Sequence, residues 1–499
     1  MGSITVLFTQ SKGTINRNIY GHFAEHIGGV FRDGLWVGEN AKVENIRGFR
    51  KALVESFARI NPPVLRWPGG CFAETYDWRD GIGPRGQRPR RIGWWFKNDG
   101  RVETNEVGTH EFIDFCRMTG AQPYFAANIT SMPALHMRNW MEYCNAPAHL
   151  TALADERAAN GSEAPFDVKY WGIGNENWGG GGRMTAEMYA HEFLRFATVC
   201  ENLPFDMTLV ACGPYARDVD WTHVLMRTLA EKHVTPSALS VHYYCGTAGA
   251  PQSFTEEEWY QQLHQANYIQ NIVDDHRAAM DEFDPDRKTV MFVDEWGCWH
   301  RDGSGPSKGF NLFEQQSCMR DAVVAALTLN IFNNRCDAVA MANVAQLCNN
   351  LHSLYLADAE RFVETPNYFV FDMYKTHQGA RQLEIVNDCG AFGGGEAFRP
   401  AARQLDRVSA SASQAEDGTV TITLANTSMT EAADVRLRGH GSRLDGQAEV
   451  ITLAADDPHA CNTFEDPKAV QPTLAARAFR DGDSLTLPPA SVVAVRIRP

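Results

Sequence analysis

The chain has 499 residues, 44% hydrophobic and 21% charged, which suits a soluble globular protein of about two domains with a large core. Its net charge of −15 argues against nucleic acid and anionic membranes, which ask for a basic surface, and leaves neutral substrates such as carbohydrates open. No apolar run is long enough to span a bilayer, the start MGSITVLFTQSKG lacks a signal-peptide core, and the twelve cysteines show no CxxC spacing, so they read as reduced thiols of a cytoplasmic protein.

In chain order, residues 3–9 read as a lone strand. NIYGHFAEHIG (18–28) predicts a second, and helical periodicity follows from about 43 to 60. PPVLRWPGGCFAE (62–74) is a strand running into a Gly-rich loop. Residues 78–106 form a long polar loop carrying Trp94 and Trp95, and loops of that length in compact domains are usually functional or disordered. A helix over 108–120 has Gly108 or Thr109 near its start and Gly120 as its stop. PYFAANI is a strand, a helical region spans 137–159, and Val168–Ile173 is the next strand.

The alternation goes on with a helix over 184–202, a strand over 207–213, a helix near 219–232 and a strand over 238–244. A longer helix spans 256–283, TVMFVDEW (from 289) is a strand, and 310–334 is a helix. The last strand and its loop cover 337–350, and a helix over 365–379 starts with Thr365 as N-cap and Pro366 at its first position. Eight strands, starting near 19, 63, 123, 168, 207, 238, 289 and 337, each followed by helix, predict a (β/α)8 TIM barrel over 17–382.

Near 383 the texture changes to short alternating segments without helices, such as VTITLANTS and SVVAVRIRP. They predict an all-β sandwich, jelly-roll-like, over 383–499, completed by the N-terminal strand within 1–16. AFGGGEA (391–397) reads as a flexible loop.

Two stretches carry the chemistry. In VKYWGIGNENWGG, Glu176 stands between Asn175 and Asn177 where a core strand ends, with Trp171 and Trp178 beside it. TVMFVDEWGCWH repeats that grammar with Asp294, Glu295, Trp296 and Trp299. In a parallel barrel, loops after the strands form the mouth where reactions occur. Two glutamates at two strand ends, each beside tryptophan, suggest paired-carboxylate cleavage of a glycosidic bond: one carboxyl protonates the leaving oxygen, and the other attacks the anomeric carbon or activates water. Tryptophan faces suit sugar rings and also exclude water, which raises a carboxyl pKa.

GHFAEHIGG, RWPGGCFAETYDWRDGIGP, GTHEF, WGIGNENWG, HYY at 242–244, DEW, NLFEQQ, MANVAQL and TPNYFVFDMYK occur together and in order. With them the chain resembles glycoside hydrolase family 51, the α-L-arabinofuranosidases. The resemblance covers most of the barrel. It implies an exo-acting, retaining double displacement that releases arabinofuranose from arabinoxylan, arabinan or their oligosaccharides, with Glu176 as acid/base and Glu295 as nucleophile. Retention requires the two carboxyls about 5–5.5 Å apart, and burial is expected to raise the pKa of Glu176 relative to that of Glu295.

Other positions carry over singly. Glu25 matches a carboxylate that binds sugar hydroxyls, the alternative being a core salt bridge with Arg66. Cys71 matches a cysteine lining the arabinose pocket, or is a buried free thiol. Asn175 holds a sugar hydroxyl, Tyr244 orients the nucleophile, and His242 supports the same wall or is a core histidine. Gln346 contacts the sugar, Trp299 faces it or the entry, and Trp94 or Trp95 shapes the leaving-group subsite. Arg66 and Asn343 stand behind these. No cofactor or metal is implied, and a homo-oligomer, commonly a hexamer, is. GGGGRM after Trp178 and GWWFKNDGR in the long loop depart from the family pattern on the leaving-group side.

Three other readings stay in play: endo-β-glucanase or β-xylosidase activity on the same machinery, a metal-dependent barrel enzyme using His22, His26 and His242, and a non-catalytic carbohydrate binder. The histidines lack HxH or HExxH spacing.

Overall fold

The computed structural model describes every residue except 247, 302, 308–310, 394–401 and 499. The N-terminal strand is β1 (Gly2–Leu7). The eight parallel strands are β2 (Gly21–Phe23), β3 (Val64–Trp67), β4 (Gln122–Ala127), β5 (Tyr170–Ile173), β6 (Thr208–Ala211), β7 (Ala238–Cys245), β8 (Val290–Cys298) and β9 (Val339–Ala345). They close into a barrel in the order β8-β9-β2-β3-β4-β5-β6-β7, as the eight strand–helix repeats predict.

The chain folds as two compact units: Gly21–His242 with Asp275–Asp294, and Met1–Tyr20 with Tyr243–Asp274 and Glu295–Pro499. Strands β7 and β8 each pass from one unit into the other.

In the first unit, strand alternation sorts side chains into rows. Phe23, Arg66, Tyr124, Tyr170 and Thr208 stand in register across β2 to β6. The Arg66 guanidinium lies 4.6 Å from the centre of the Phe23 ring. The next row turns the other way, toward helices. Trp67 stacks on Phe112 at 4.8 Å and Phe125 on Trp140 at 4.7 Å, with Trp171 edge-on to Trp140. Phe112 belongs to the helix Thr109–Thr119, which Gly120 closes at φ 82°, and Trp140 to Ala134–Asn145.

Several expected helices are shorter or divided. The helix read from 43 is Lys51–Arg59; before it lies a ribbon, Asn45–Ile46 against Phe49–Arg50, turned at Gly48, whose amide donates to Asn45 Oδ1. The stretch 137–159 holds two helices, Ala134–Asn145 and Ala152–Ala159, parted around Pro147 and restarted by the Thr151 cap. The stretch 256–283 is Glu256–Asn267 and Ile269–Phe283. The helix read over 310–334 starts at Met319, where Asp321 accepts the Cys318 N–H, and Phe310 lies outside the described residues.

In the second unit, β1 joins β10 (Arg381–Asn387), β11 (Val408–Gln414), β12 (Val420–Asn426), β13 (Ala433–His440), β14 (Gly446–Leu453), β15 (Thr473–Phe479), β16 (Ser484–Leu487) and β17 (Val492–Arg498). The strand order is β15-β14-β17-β12-β11-β10-β1-β13-β16, so the N-terminal strand does complete this sheet. Strand β10 changes partner along its length: Arg381–Leu383 pair with β11 and Glu384–Asn387 with β1. The two halves then share one apolar core, with Ile4, Val6 and Leu437 from one and Val408, Ile422 and Val495 from the other. Of the loop read at 391–397, residues 394–397 lie outside the described residues.

The helix Met319–Asn334 is buried on every side from Met319 to Asn333. An all-round buried helix needs polar partners for any polar residue it carries. Asn330 Oδ1 accepts from Ser411 and Thr423 at 2.9 and 2.8 Å, and His377 bridges Ser413 and Thr423 at 2.7 and 3.0 Å.

Candidate active site

Strand β5 ends at Ile173, and Gly174 after it, with a φ of 83°, opens a tight turn. A Cβ there would stand 2.2 Å from Asn177 Oδ1, so the turn requires glycine. Glu176 follows at φ 44°, in the left-handed region, which is costly for a side-chain-bearing residue and has to be held by its surroundings.

Glu74 does much of that holding. Wholly buried, it accepts the Asn175 N–H and the Asn177 amide through Oε1, at 2.7 and 3.0 Å, and the Ile129 and Thr130 N–H groups through Oε2, at 3.0 and 2.9 Å. Burial pushes its carboxyl pKa up, and those N–H donors pull part of the way back. Glu74 lies inside a motif singled out in the sequence, yet nothing in its spacing marks it as the clamp between the loops after β3, β4 and β5.

Glu176 is held on both oxygens. His242 Nδ1 stands 3.0 Å from Oε1, and the Cys71 thiol donates to Oε2 over 3.8 Å. Asn175 Nδ2 reaches the Cys71 sulfur at 3.9 Å, while its Oδ1 accepts from Arg66 at 2.6 Å. Arg66 also stands 3.9 Å from Asp294 Oδ2, which accepts the Tyr124 hydroxyl at 2.6 Å. Asn175, Cys71, Arg66, His242 and Glu176 are thus one connected group.

Glu25 is buried, and its Oε1 accepts the Phe72 N–H and the Trp95 indole N–H, each at 3.0 Å. Trp95 is therefore the tryptophan of the long loop that meets a candidate sugar-binding carboxylate. Trp94 lies beside Gly180, where an added Cβ would stand 3.3 Å from its ring and 2.6 Å from the Cys71 sulfur. The long loop is anchored by Glu103, 3.4 Å from His26 Nδ1, while His26 Nε2 accepts from the Trp67 indole at 2.9 Å. Burial pushes the Glu103 pKa up, but His26 and the Asn105 N–H outweigh it and leave it below the usual range. A cavity of about 500 Å³ opens beside this anchor, lined by Phe31, Trp36, Phe72 and Trp95 among others.

The second unit carries the other carboxylate. Glu295, 5% exposed on β8, accepts the Tyr244 hydroxyl through Oε2 at 2.8 Å. Trp299 sets its ring edge-on to Tyr244 at 5.1 Å and to Phe313 at 4.9 Å. Asn343 on β9 and Gln346 just past it are both buried. His242 and Tyr244 are two apart on β7 and so point to the same side of it. One face of one strand thus carries the partner of Glu176 and the partner of Glu295.

The chain is similar to known proteins over nearly its whole length. Residues 56–260 match the family model described as the alpha-L-arabinofuranosidase 1 domain, and 294–491 the alpha-L-arabinofuranosidase C-terminal domain. An intracellular exo-alpha-L-arabinofuranosidase of Bacteroides ovatus is 35% identical over 99% of this chain and 95% of its own. The GH51 arabinofuranosidase from Xanthomonas axonopodis pv. citri superposes with a TM-score of 0.92 at 36% identity, and an alpha-L-arabinofuranosidase from Thermotoga maritima, solved as an arabinose complex, with 0.88 at 28%. Both structures cover 100% of this chain and are covered over their full length.

Proposed function

The chain belongs to glycoside hydrolase family 51, the α-L-arabinofuranosidases, and from that premise we propose that it releases terminal arabinofuranose by an exo-acting, retaining double displacement in which Glu176 is the acid/base and Glu295 the nucleophile. In the first step Glu176 gives its proton to the glycosidic oxygen as Glu295 attacks the anomeric carbon, forming a glycosyl-enzyme ester. In the second, Glu176 takes a proton from water, which attacks the same carbon and frees Glu295.

The observation that carries this reading is the pairing on β7: His242 beside Glu176, and Tyr244 donating to Glu295. A nucleophile needs an orienting donor that does not take its charge, and a tyrosine hydroxyl is one. Glu25, Cys71, Asn175, His242, Trp299 and Gln346 shape the furanose pocket, Trp94 and Trp95 the leaving-group side, and Arg66 and Asn343 stand behind them. Arabinoxylan, arabinan and their oligosaccharides are the substrates.

The catalytic barrel spans 17–382, and 1–16 with 383–499 form the sandwich. Cytoplasmic location is supported by the Bacteroides ovatus relative, whose name calls it intracellular and exo-acting. Homo-oligomer formation is supported by β15, a sheet-edge strand exposed at six of its seven residues, since bare edges tend to be covered.

The test is hydrolysis of an aryl α-L-arabinofuranoside beside an aryl β-D-xyloside and a soluble β-glucan, with product anomers followed by proton NMR. Rapid arabinofuranoside cleavage that first yields the retained anomer is the expected result. An inverted first product overturns the double displacement, and dominant glucan cleavage overturns the specificity.

A further inference from the structure

A separate set of ligating side chains is buried in the unit that holds Glu295. The Cys298 thiol at the end of β8, a carboxylate oxygen of Asp321 in the first turn of the helix Met319–Asn334, and a ring nitrogen of His352 in the loop after β9 all lie within 4.8 Å of one another. All three residues are 0% exposed. Gln262 Nε2 donates to the Cys298 sulfur at 3.5 Å, and the thiol of Cys245, the last residue of β7, neighbours that of Cys298. Asp321 is oriented from outside this group: His300 Nε2 stands 2.8 Å from Oδ1, and the Cys318 N–H donates to Oδ2 at 2.9 Å.

His352 is not accounted for by hydrogen bonding. Among the described residues neither ring nitrogen has a hydrogen-bond partner, although the side chain is wholly buried. Its Nδ1 stands 3.8 Å from Asp321 Oδ1, beyond hydrogen-bond length. A buried imidazole with nothing to bond is costly, and such a group calls for an explanation such as an ion.

We propose that Cys298, Asp321 and His352 form a zinc site, with the neighbouring Cys245 thiol drawn in as its fourth ligand. Two sulfurs, one imidazole and one carboxylate suit a borderline divalent ion, and four protein ligands make the closed, tetrahedral set of a structural site rather than the open set of a catalytic one. On binding, both thiols release their protons to solvent and become thiolates. His300 then orients the Asp321 carboxylate from behind. The ion ties together the ends of β7 and β8, the start of the helix Met319–Asn334 and the loop after β9. Tyr244 and Glu295 lie on the first two of these, so the site stiffens the segments that carry the nucleophile.

The test uses the full chain. Purified in metal-free buffer, the protein is expected to bind about one equivalent of zinc by elemental analysis, as a closed four-ligand set does. After chelation, the melting temperature falls and zinc restores it, while cobalt(II) produces tetrahedral d–d bands and a thiolate charge-transfer band. Cys298→Ser removes most of that charge-transfer band, and His352→Ala weakens zinc affinity about tenfold or more. If either variant fails to fold, stoichiometry and the cobalt spectrum of the unmutated chain decide. Absence of both bound zinc on titration and a cobalt–thiolate band overturns the proposal. So does zinc binding left unchanged in folded Cys298→Ser and His352→Ala, which puts the ion elsewhere.

Discussion

His242 Nδ1 stands 3.0 Å from Glu176 Oε1, and the imidazole is 4% exposed, so a buried neighbour governs one oxygen of the proposed acid/base. If Glu176 must deliver a proton to the leaving oxygen, the loss of this neighbour is felt most where leaving-group protonation matters most. For His242→Ala, kcat on a poor leaving group, such as a xylo-oligosaccharide-linked arabinose, is expected to fall about 10²-fold, within the range for general acid catalysis. The loss on a nitrophenyl glycoside, whose leaving group needs little protonation, is expected to be several times smaller. Equal losses on both substrates would separate His242 from proton transfer.

The Tyr244 hydroxyl contact with Glu295 makes a different prediction. Tyr244→Phe keeps the ring against Trp299 and removes one hydrogen bond to a charged oxygen, worth about 1.5–3 kcal/mol. That is about 10–100-fold in kcat with KM little changed, because the bond orients the nucleophile rather than the sugar. Steady-state kinetics check it; a rise in KM alone would place Tyr244 in substrate binding.

Azide separates the two carboxylates. In Glu176→Ala, a good leaving group still departs, Glu295 still forms the ester, and azide attacks it to give the arabinosyl azide of retained configuration. In Glu295→Ala no ester forms, turnover falls by about 10³-fold or more, and any azide product is inverted. Product NMR distinguishes them, and the reverse pattern exchanges the roles.

Why Glu74 escaped the sequence reading, while Glu176 and Glu295 did not, is a matter of where information lies. The candidate carboxylates end strands whose apolar runs are visible locally, and eight such runs with helices between them are enough to indicate the barrel. Glu74 takes its meaning from N–H groups at 129, 130 and 175, which only the fold brings to it. His26 and Glu103 are likewise 77 residues apart in sequence and 3.4 Å apart in space. Helix periodicity misled where local polar bonds won: Asn45 turns the chain at Gly48, so the helix read from 43 starts at Lys51. The choice between Trp94 and Trp95 had no sequence signal, since both are indoles in one loop; the bond from Trp95 to Glu25 depends on the folded path of that loop.

Glu74 also yields a stability prediction. In Glu74→Gln one oxygen of the clamp becomes an amide nitrogen facing N–H donors, so two of them lose their acceptor. A buried unsatisfied group costs about 1–3 kcal/mol. The expected fall in melting temperature is about 2–4 °C per kcal/mol at the larger domain sizes, with a matching loss of kcat as Asn175 and Glu176 loosen. Calorimetry with kinetics on the same samples checks it. Full activity with lowered stability would mean that the clamp supports the fold and not the position of Glu176.

Acid should unfold the protein through its buried histidines. His22 on β2 and His377 among Ser413 and Thr423 are both wholly buried, and burial lowers each pKa to about 3. In the unfolded chain they titrate near 6.5 or so. Below that value the unfolded state takes up protons that the folded state refuses, so stability falls as pH drops from about 6.5 toward 3, and is unaffected by these groups above about 7. At pH 5 each histidine costs about 2 kcal/mol relative to neutral pH, from one and a half pKa units at about 1.4 kcal/mol apiece. Denaturant midpoints measured from pH 8 to pH 5 should therefore be flat above pH 7 and decline below it. In His377→Gln, which keeps polar atoms beside Ser413 and Thr423 but cannot take up a proton, the decline should shrink by about one histidine's share, near 2 kcal/mol at pH 5. An undiminished slope in that variant would show that His377 does not contribute to acid sensitivity.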